Sequence, residues 1–188
     1  MPSTGNPDFN ASWPPPPEFS PLITNVERQR VFGRFDYQTN PIPGNPENIT
    51  ITGNWLNENI VPVTIPQLIG IYGAPRTGRI FLHKKAAPQI IAFFADLEEA
   101  GLLGRITNWG GAFVPRLVRG SKSLLSNHAF GSAFDINTRE NPLGVEPASL
   151  GKPGCVRELV PIAHRHGIYW GGHFTRKDGM HFEVAVIQ

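Results

Sequence analysis

Cysteine is almost absent: the 188 residues contain one, Cys155. No intramolecular disulfide and no cysteine-rich metal site can therefore be built. Long apolar runs are also missing; no stretch approaches the ~20 residues needed to cross a bilayer, so membrane insertion is not expected. Nor does charge of one sign accumulate. Seventeen Lys and Arg against fifteen Asp and Glu give +2, without the basic stripe that nucleic acid would demand. Charged residues make up only 17% against 40% hydrophobic, which describes a globular chain. Its length fits one domain, or one domain with an arm, and a core that needs no disulfide staple. What is plentiful is Gly (20) and Pro (19), so loops should abound and long helices be few. Met1–Pro17 is polar and Pro-rich. With no basic head followed by an apolar run, it does not read as a secretory signal.

Residues 1–21 hold seven prolines, including the run Pro14–Pro17, and read as a polyproline-type arm. The expected division is an arm over 1–29 and one domain over 30–188. No candidate catalytic residue lies in 1–21, so that stretch is expected to be dispensable for catalysis. From Val31 to Tyr72 the signals are strand and turn. Asn48–Thr52 alternates polar and apolar, and Asn59–Ile65 is interrupted by Pro62, the mark of an edge strand. A helix is predicted over 84–100, with Ile90, Phe94 and Leu97 at helical spacing and Gly101 as its stop. A second is predicted over about 154–166, where Pro161 either kinks it or marks its true start. Residues 181–187 are β-branched and aromatic and read as a terminal strand. No internal repeat is visible.

Chemistry concentrates in Ser126–Asn137, which holds His128 and Asp135 seven residues apart with Gly131 and Ala133 between them. Imidazole nitrogen and carboxylate oxygen form a zinc-type donor set. A third donor stands in Asp178-Gly179-Met180-His181-Phe182-Glu183. On a strand, His181 and Glu183 share one face while Phe182 and Val184 share the other. His181 can thus face a site while Phe182 anchors the core. Two His and one Asp leave a fourth coordination position open, the pattern of a catalytic zinc site. Asp178, on the turn into the strand, is placed to take a proton from water rather than to ligate.

These residues resemble a known family. Ser126, His128, Gly131, Ala133 and Asp135 match the Ser-x-His-x-x-Gly-x-Ala-x-Asp signature of the VanY-like zinc D-alanyl-D-alanine carboxypeptidases and L-alanyl-D-glutamate endopeptidases. Asp178 and His181, in the form Asp-x-x-His-Phe-Glu, look like the endopeptidase branch, and Tyr169–Phe174 looks like the family's Trp-Gly-Gly element. The resemblance runs over roughly 30–188, strongest from 109 onward. It implies a zinc ion on His128, Asp135 and His181, Asp178 as general base, and an arginine that holds the oxyanion. Arg116 is favoured for that role and Arg119 is the alternative. Each ligand histidine should also donate its other N–H to an acceptor; Glu183 and the Ser126 region are candidates.

The expected fold is therefore α+β, a small antiparallel sheet bearing the zinc site, flanked by two main helices and preceded by the Pro-rich arm. The function implied is a zinc peptidase on the peptide stem of bacterial peptidoglycan, of the L-alanyl-D-glutamate type. A D-alanyl-D-alanine carboxypeptidase and a catalytically idle wall-binding or structural component are the alternatives. Such an enzyme acts on the cell wall, on the periplasmic or extracellular side, and is expected to be a monomer. It could be made in the cytoplasm and released or delivered by a phage or secretion route. Outside this set, His164 and His166 read as solvated helix-end residues and His83 as structural. His173 reads as a loop residue, Trp109 and Trp170 as cleft wall or core, and Cys155 as no nucleophile.

Overall fold

The computed structural model describes residues 13–188. The chain is α+β and its sheets are antiparallel. Helix α1 (Asn25–Phe32) opens it, followed by the hairpin β1 (Asp36–Thr39) and β2 (Ile49–Thr52), the short helix α2 (Trp55–Asn59), and a second two-stranded sheet, β3 (Ile60–Thr64) with β4 (Arg79–His83). Helix α3 (Ala87–Glu99) leads into the main sheet, built from β5 (Trp109–Gly111), β6 (Ala133–Ile136), β7 (Ile168–Trp170) and β8 (His181–Val184); helix α4 (Val160–Arg165) precedes β7. The main sheet is ordered β5-β6-β8-β7.

Several elements follow the sequence expectation. Ile90, Phe93, Phe94 and Leu97 of α3 are wholly buried. Pro161 stands in the first turn of α4 and marks its start, so residues 154–159 lie outside that helix. Pro62 pairs with Phe81 in a sheet of two strands, where every strand is an edge. Others depart from it. Helix α1 begins inside the 1–29 segment read as an arm. Its start signal was present as Thr24-x-x-Glu27: the Thr24 hydroxyl accepts from the Glu27 N–H (3.2 Å) and the Glu27 carboxylate accepts from the Thr24 N–H (2.8 Å). Helix α2 interrupts the stretch read as strand and turn, and β4 just precedes the predicted start of a helix at 84. Residues 1–12 of the Pro-rich arm lie outside the described residues. From Trp13 the chain lies on the domain: the Trp13 ring is 5.3 Å from Trp170, and Phe19 meets Tyr169 at 6.3 Å.

The core fixes which way the site faces. Phe134 of β6 is the cross-strand partner of Phe182 of β8, and their rings stack at 5.5 Å. Both press on Phe93 of α3 (5.6 and 6.0 Å). Because side chains alternate across a strand, burying the Phe134–Phe182 pair against α3 turns Asp135 and His181, themselves a register pair, to the opposite face.

Candidate metal centre

Cross-strand pairing brings Asp135 and His181 together, and a short 3-10 turn (Asn127–Phe130) brings His128 to them. Ser126 caps that turn by accepting from the His128 N–H (3.2 Å). Gly131 ends it in the left-handed region, φ 67°, with its α-carbon so close to β4 that an added Cβ would lie 2.8 Å from the His83 nitrogen. The glycine in the motif is thus required twice over, by conformation and by space.

Three donor atoms converge. His128 Nε2 lies 3.1 Å from Asp135 Oδ1 and 3.1 Å from His181 Nδ1, and His181 Nδ1 lies 3.1 Å from Asp135 Oδ1. The other nitrogen of each ring is occupied. His128 Nδ1–H donates to the Ala112 carbonyl (2.7 Å), and His181 Nε2–H donates to Glu183 Oε2 (3.0 Å). With those protons fixed, the neutral rings turn two lone pairs and a carboxylate oxygen toward one point, which is what a divalent cation needs and what hydrogen bonding alone does not explain. The donor set therefore fits a metal ion of the zinc class.

The electrostatics agree. Burial alone would raise the Asp135 carboxyl, but His128 and His181 outweigh it and hold the carboxyl well below its usual range. Burial works against charge on His181, yet the hydrogen bonds of Asp135 and Glu183 and their negative surroundings push it up to about 10. The centre is thus built to attract positive charge between these three side chains.

Glu183 is 2% exposed and is not a surface carboxylate. Its Oε2 also accepts from Asn127 Nδ2 (2.5 Å), and its Oε1 accepts from the Leu22 backbone N–H (3.1 Å). Ser126 plays no such part for His128; the acceptor is Ala112, a backbone carbonyl that no side-chain pattern could disclose. Asn127, directly beside a motif residue, likewise carries no sequence signal of its bond to Glu183.

Asp178 lines the same cavity, about 680 Å³, as Asp135, His181 and Arg116. Its N–H donates to the Gly171 carbonyl (3.0 Å), and a Cβ on Gly171 would lie 3.1 Å from both the Asp178 and His181 β-carbons. The Trp-Gly-Gly element is therefore the floor under these two residues. Burial raises the Asp178 carboxyl above its ordinary value, and its Oδ1 is buried with no hydrogen-bond partner among the described residues.

Both arginines reach the cavity. Arg119 is held by Glu47 (2.7 Å) and Asn45 (2.8 Å). Among the described residues the Arg116 guanidinium donates only to the Leu117 carbonyl (3.2 Å), and it lies in the field of Asp135 and Asp178. The remaining histidines sit apart from the centre. His83 is buried and structural, bonded to the Phe32 carbonyl (3.0 Å). His166 pairs with Asp96 (2.8 Å), and His164 packs its ring 5.6 Å from that of His173, so neither helix-end histidine is solvated as the sequence suggested. Trp109, Trp170 and Cys155 are buried.

Residues 119–184 match the family model described as D-alanyl-D-alanine carboxypeptidase. The match supports the VanY-like resemblance and a hydrolase of the peptidase kind. It contains His128, Asp135, Asp178 and His181; Arg116 lies just outside it. Searches of curated proteins and of solved structures gave no match. No described helix is long and apolar enough to cross a membrane.

Proposed function

We propose that this protein is a zinc metallopeptidase that hydrolyses the peptide stem of bacterial peptidoglycan, acting on the wall from the periplasmic or extracellular side. The carrying observation is the convergence of His128 Nε2, Asp135 Oδ1 and His181 Nδ1 beside a carboxylate oxygen of Asp178 that has no hydrogen-bond partner among the described residues. Those three atoms would hold the zinc. Bound there, zinc supplies a Lewis acid and brings the pKa of its water toward about 7.

The chain's own groups do the rest. Asp178, its carboxyl raised by burial, accepts the proton of the attacking water and returns it to the leaving amine nitrogen. Arg116, whose guanidinium is not tied to a carboxylate, stabilises the negative oxygen that develops on the scissile carbonyl. Ala112 and Glu183 hold the two imidazoles in the tautomers that expose the donor nitrogens. A cavity of about 680 Å³ accepts a few residues of an extended peptide.

The Asp-x-x-His-Phe-Glu form supports cleavage between L-alanine and D-glutamate. The description of the matching family supports the second reading, removal of the terminal D-alanine. Digestion of defined peptidoglycan fragments, with products identified by mass spectrometry, separates the two. Release of a peptide beginning with D-glutamate is the expected result. Release of free D-alanine would transfer the assignment to the carboxypeptidase, and an intact substrate with zinc bound would identify an idle wall-binding component.

A further inference from the structure

Arg28, on α1, lies outside the stretch that matches the family and outside the machinery described above. It is 5% exposed, yet its Nε and Nη1 are buried with no hydrogen-bond partner among the described residues. It lines the cavity that also holds Asp135, Asp178 and His181. A guanidinium so placed is costly, since a buried charge is tolerated only when paired and hydrogen-bonded. Burial depresses its pKa, and the charges of Glu183 and Glu27 oppose that effect. Glu183 does not satisfy it by hydrogen bonding: its two oxygens already accept from Leu22, Asn127 and His181. Glu27 is engaged in capping α1.

We propose that Arg28 is a substrate-binding residue whose guanidinium recognises a carboxylate of the peptide at the wall of the cavity. A guanidinium edge matches a carboxylate in geometry and charge, and the paired hydrogen bonds strengthen in a site shielded from water. The ligand class is thus a peptide bearing a free carboxylate near the scissile bond. In a peptidoglycan stem that group is either the α-carboxylate of D-glutamate or the carboxylate of the terminal D-alanine. This deepens the function proposed above, on which its substrate class rests.

The test uses the full chain with Asp178→Asn to suppress turnover, titrated calorimetrically with a stem pentapeptide. Two further peptides carry an amide at the D-glutamate α-carboxyl or at the C-terminus. Amidation of one of the two should weaken binding by about 10–100-fold, the scale of a lost hydrogen bond to a charged partner, and identifies which carboxylate is read. Adding Arg28→Met should abolish that difference, and Arg28→Lys should restore part of it. Because its buried Nε and Nη1 have no hydrogen-bond partner among the described residues, Arg28→Met alone should melt at or above the wild-type temperature; a merely structural arginine would give a lower one. Equal binding of all three peptides, no binding of any, or a carboxylate preference undiminished by Arg28→Met would each overturn the proposal. Carboxylate-dependent binding, with no hydrolysis of the same peptides by the zinc-loaded chain that retains Asp178, would instead strike the catalytic reading and leave Arg28 in place.

Discussion

Asp178 and the three metal-facing residues share a cavity but differ in what their polar atoms meet. His128, Asp135 and His181 point at one another, whereas Asp178 keeps a buried oxygen with no hydrogen-bond partner among the described residues. On that difference Asp178 is proposed as a base and not a ligand. Asp178→Asn retains the shape and loses the capacity to take a proton. The rate should fall by about 10²–10⁴, while zinc content and melting temperature stay near wild type. Zinc loss in that variant would make Asp178 a ligand, and full activity would pass the proton to another group. In the wild type the activity should decline as the pH drops through a pKa above the ordinary 3.8 of an aspartate, because protonated Asp178 cannot act as base. His128, Asp135, Asp178 and His181 were legible in the sequence because the chemistry needs those residue types at nearly fixed spacing. The Ala112 carbonyl was not, because any residue carries one. Arg28 was not, because an arginine on a polar segment is ordinarily solvated and only packing shows it buried. Nor was the Arg119–Glu47 ion pair, distant in sequence, on which the proposal of Arg116 rather than Arg119 for the oxyanion leans.

At the scale of elements, the strand that carries His181 and the helix that buries Phe182 were legible from local pattern. Helix α1 was hidden by the prolines before it, although its capping box was in view. Strand β4 was hidden because Lys84 and Lys85 read as the start of a helix. The segment leading into α1 is tied to the centre at Leu22, whose N–H donates to Glu183 (3.1 Å) and whose carbonyl accepts from Asn127 Nδ2 (3.3 Å). Further out, Trp13 is flanked by Trp170, with the Arg157 guanidinium 4.6 Å and the Lys177 ammonium 4.7 Å from its ring. Deleting residues 1–21 removes the Trp13 and Phe19 contacts and spares Leu22. The melting temperature should therefore fall, while kcat stays within a few-fold of wild type. Loss of activity with the fold and zinc retained would show that this segment shapes the cleft as well as covering the domain.

For the whole molecule, five of the six histidines fall into two classes. Two converge at the candidate metal centre, and His83, His164 and His173 are kept neutral mainly by burial, each pushed down to about 4. Unfolded, such a histidine titrates near about 6.5, so below that pH the unfolded chain binds protons that the folded chain refuses. Stability should accordingly fall as the pH drops from about 6.5 toward 4. The slope is at most about 1.4 kcal/mol per pH unit for the wholly buried His83, and smaller for the two part-exposed rings. Thermal melts across that range should show the loss; a flat profile would mean that these rings take up protons while folded. The centre itself rests on one claim, that His128, Asp135 and His181 together hold a metal ion, and elemental analysis of the purified chain beside His181→Ala tests it most directly. The account predicts about one zinc per wild-type chain, held by the one such donor set among the described residues, and little or none in the variant. Near-stoichiometric zinc retained by a folded His181→Ala chain would contradict it.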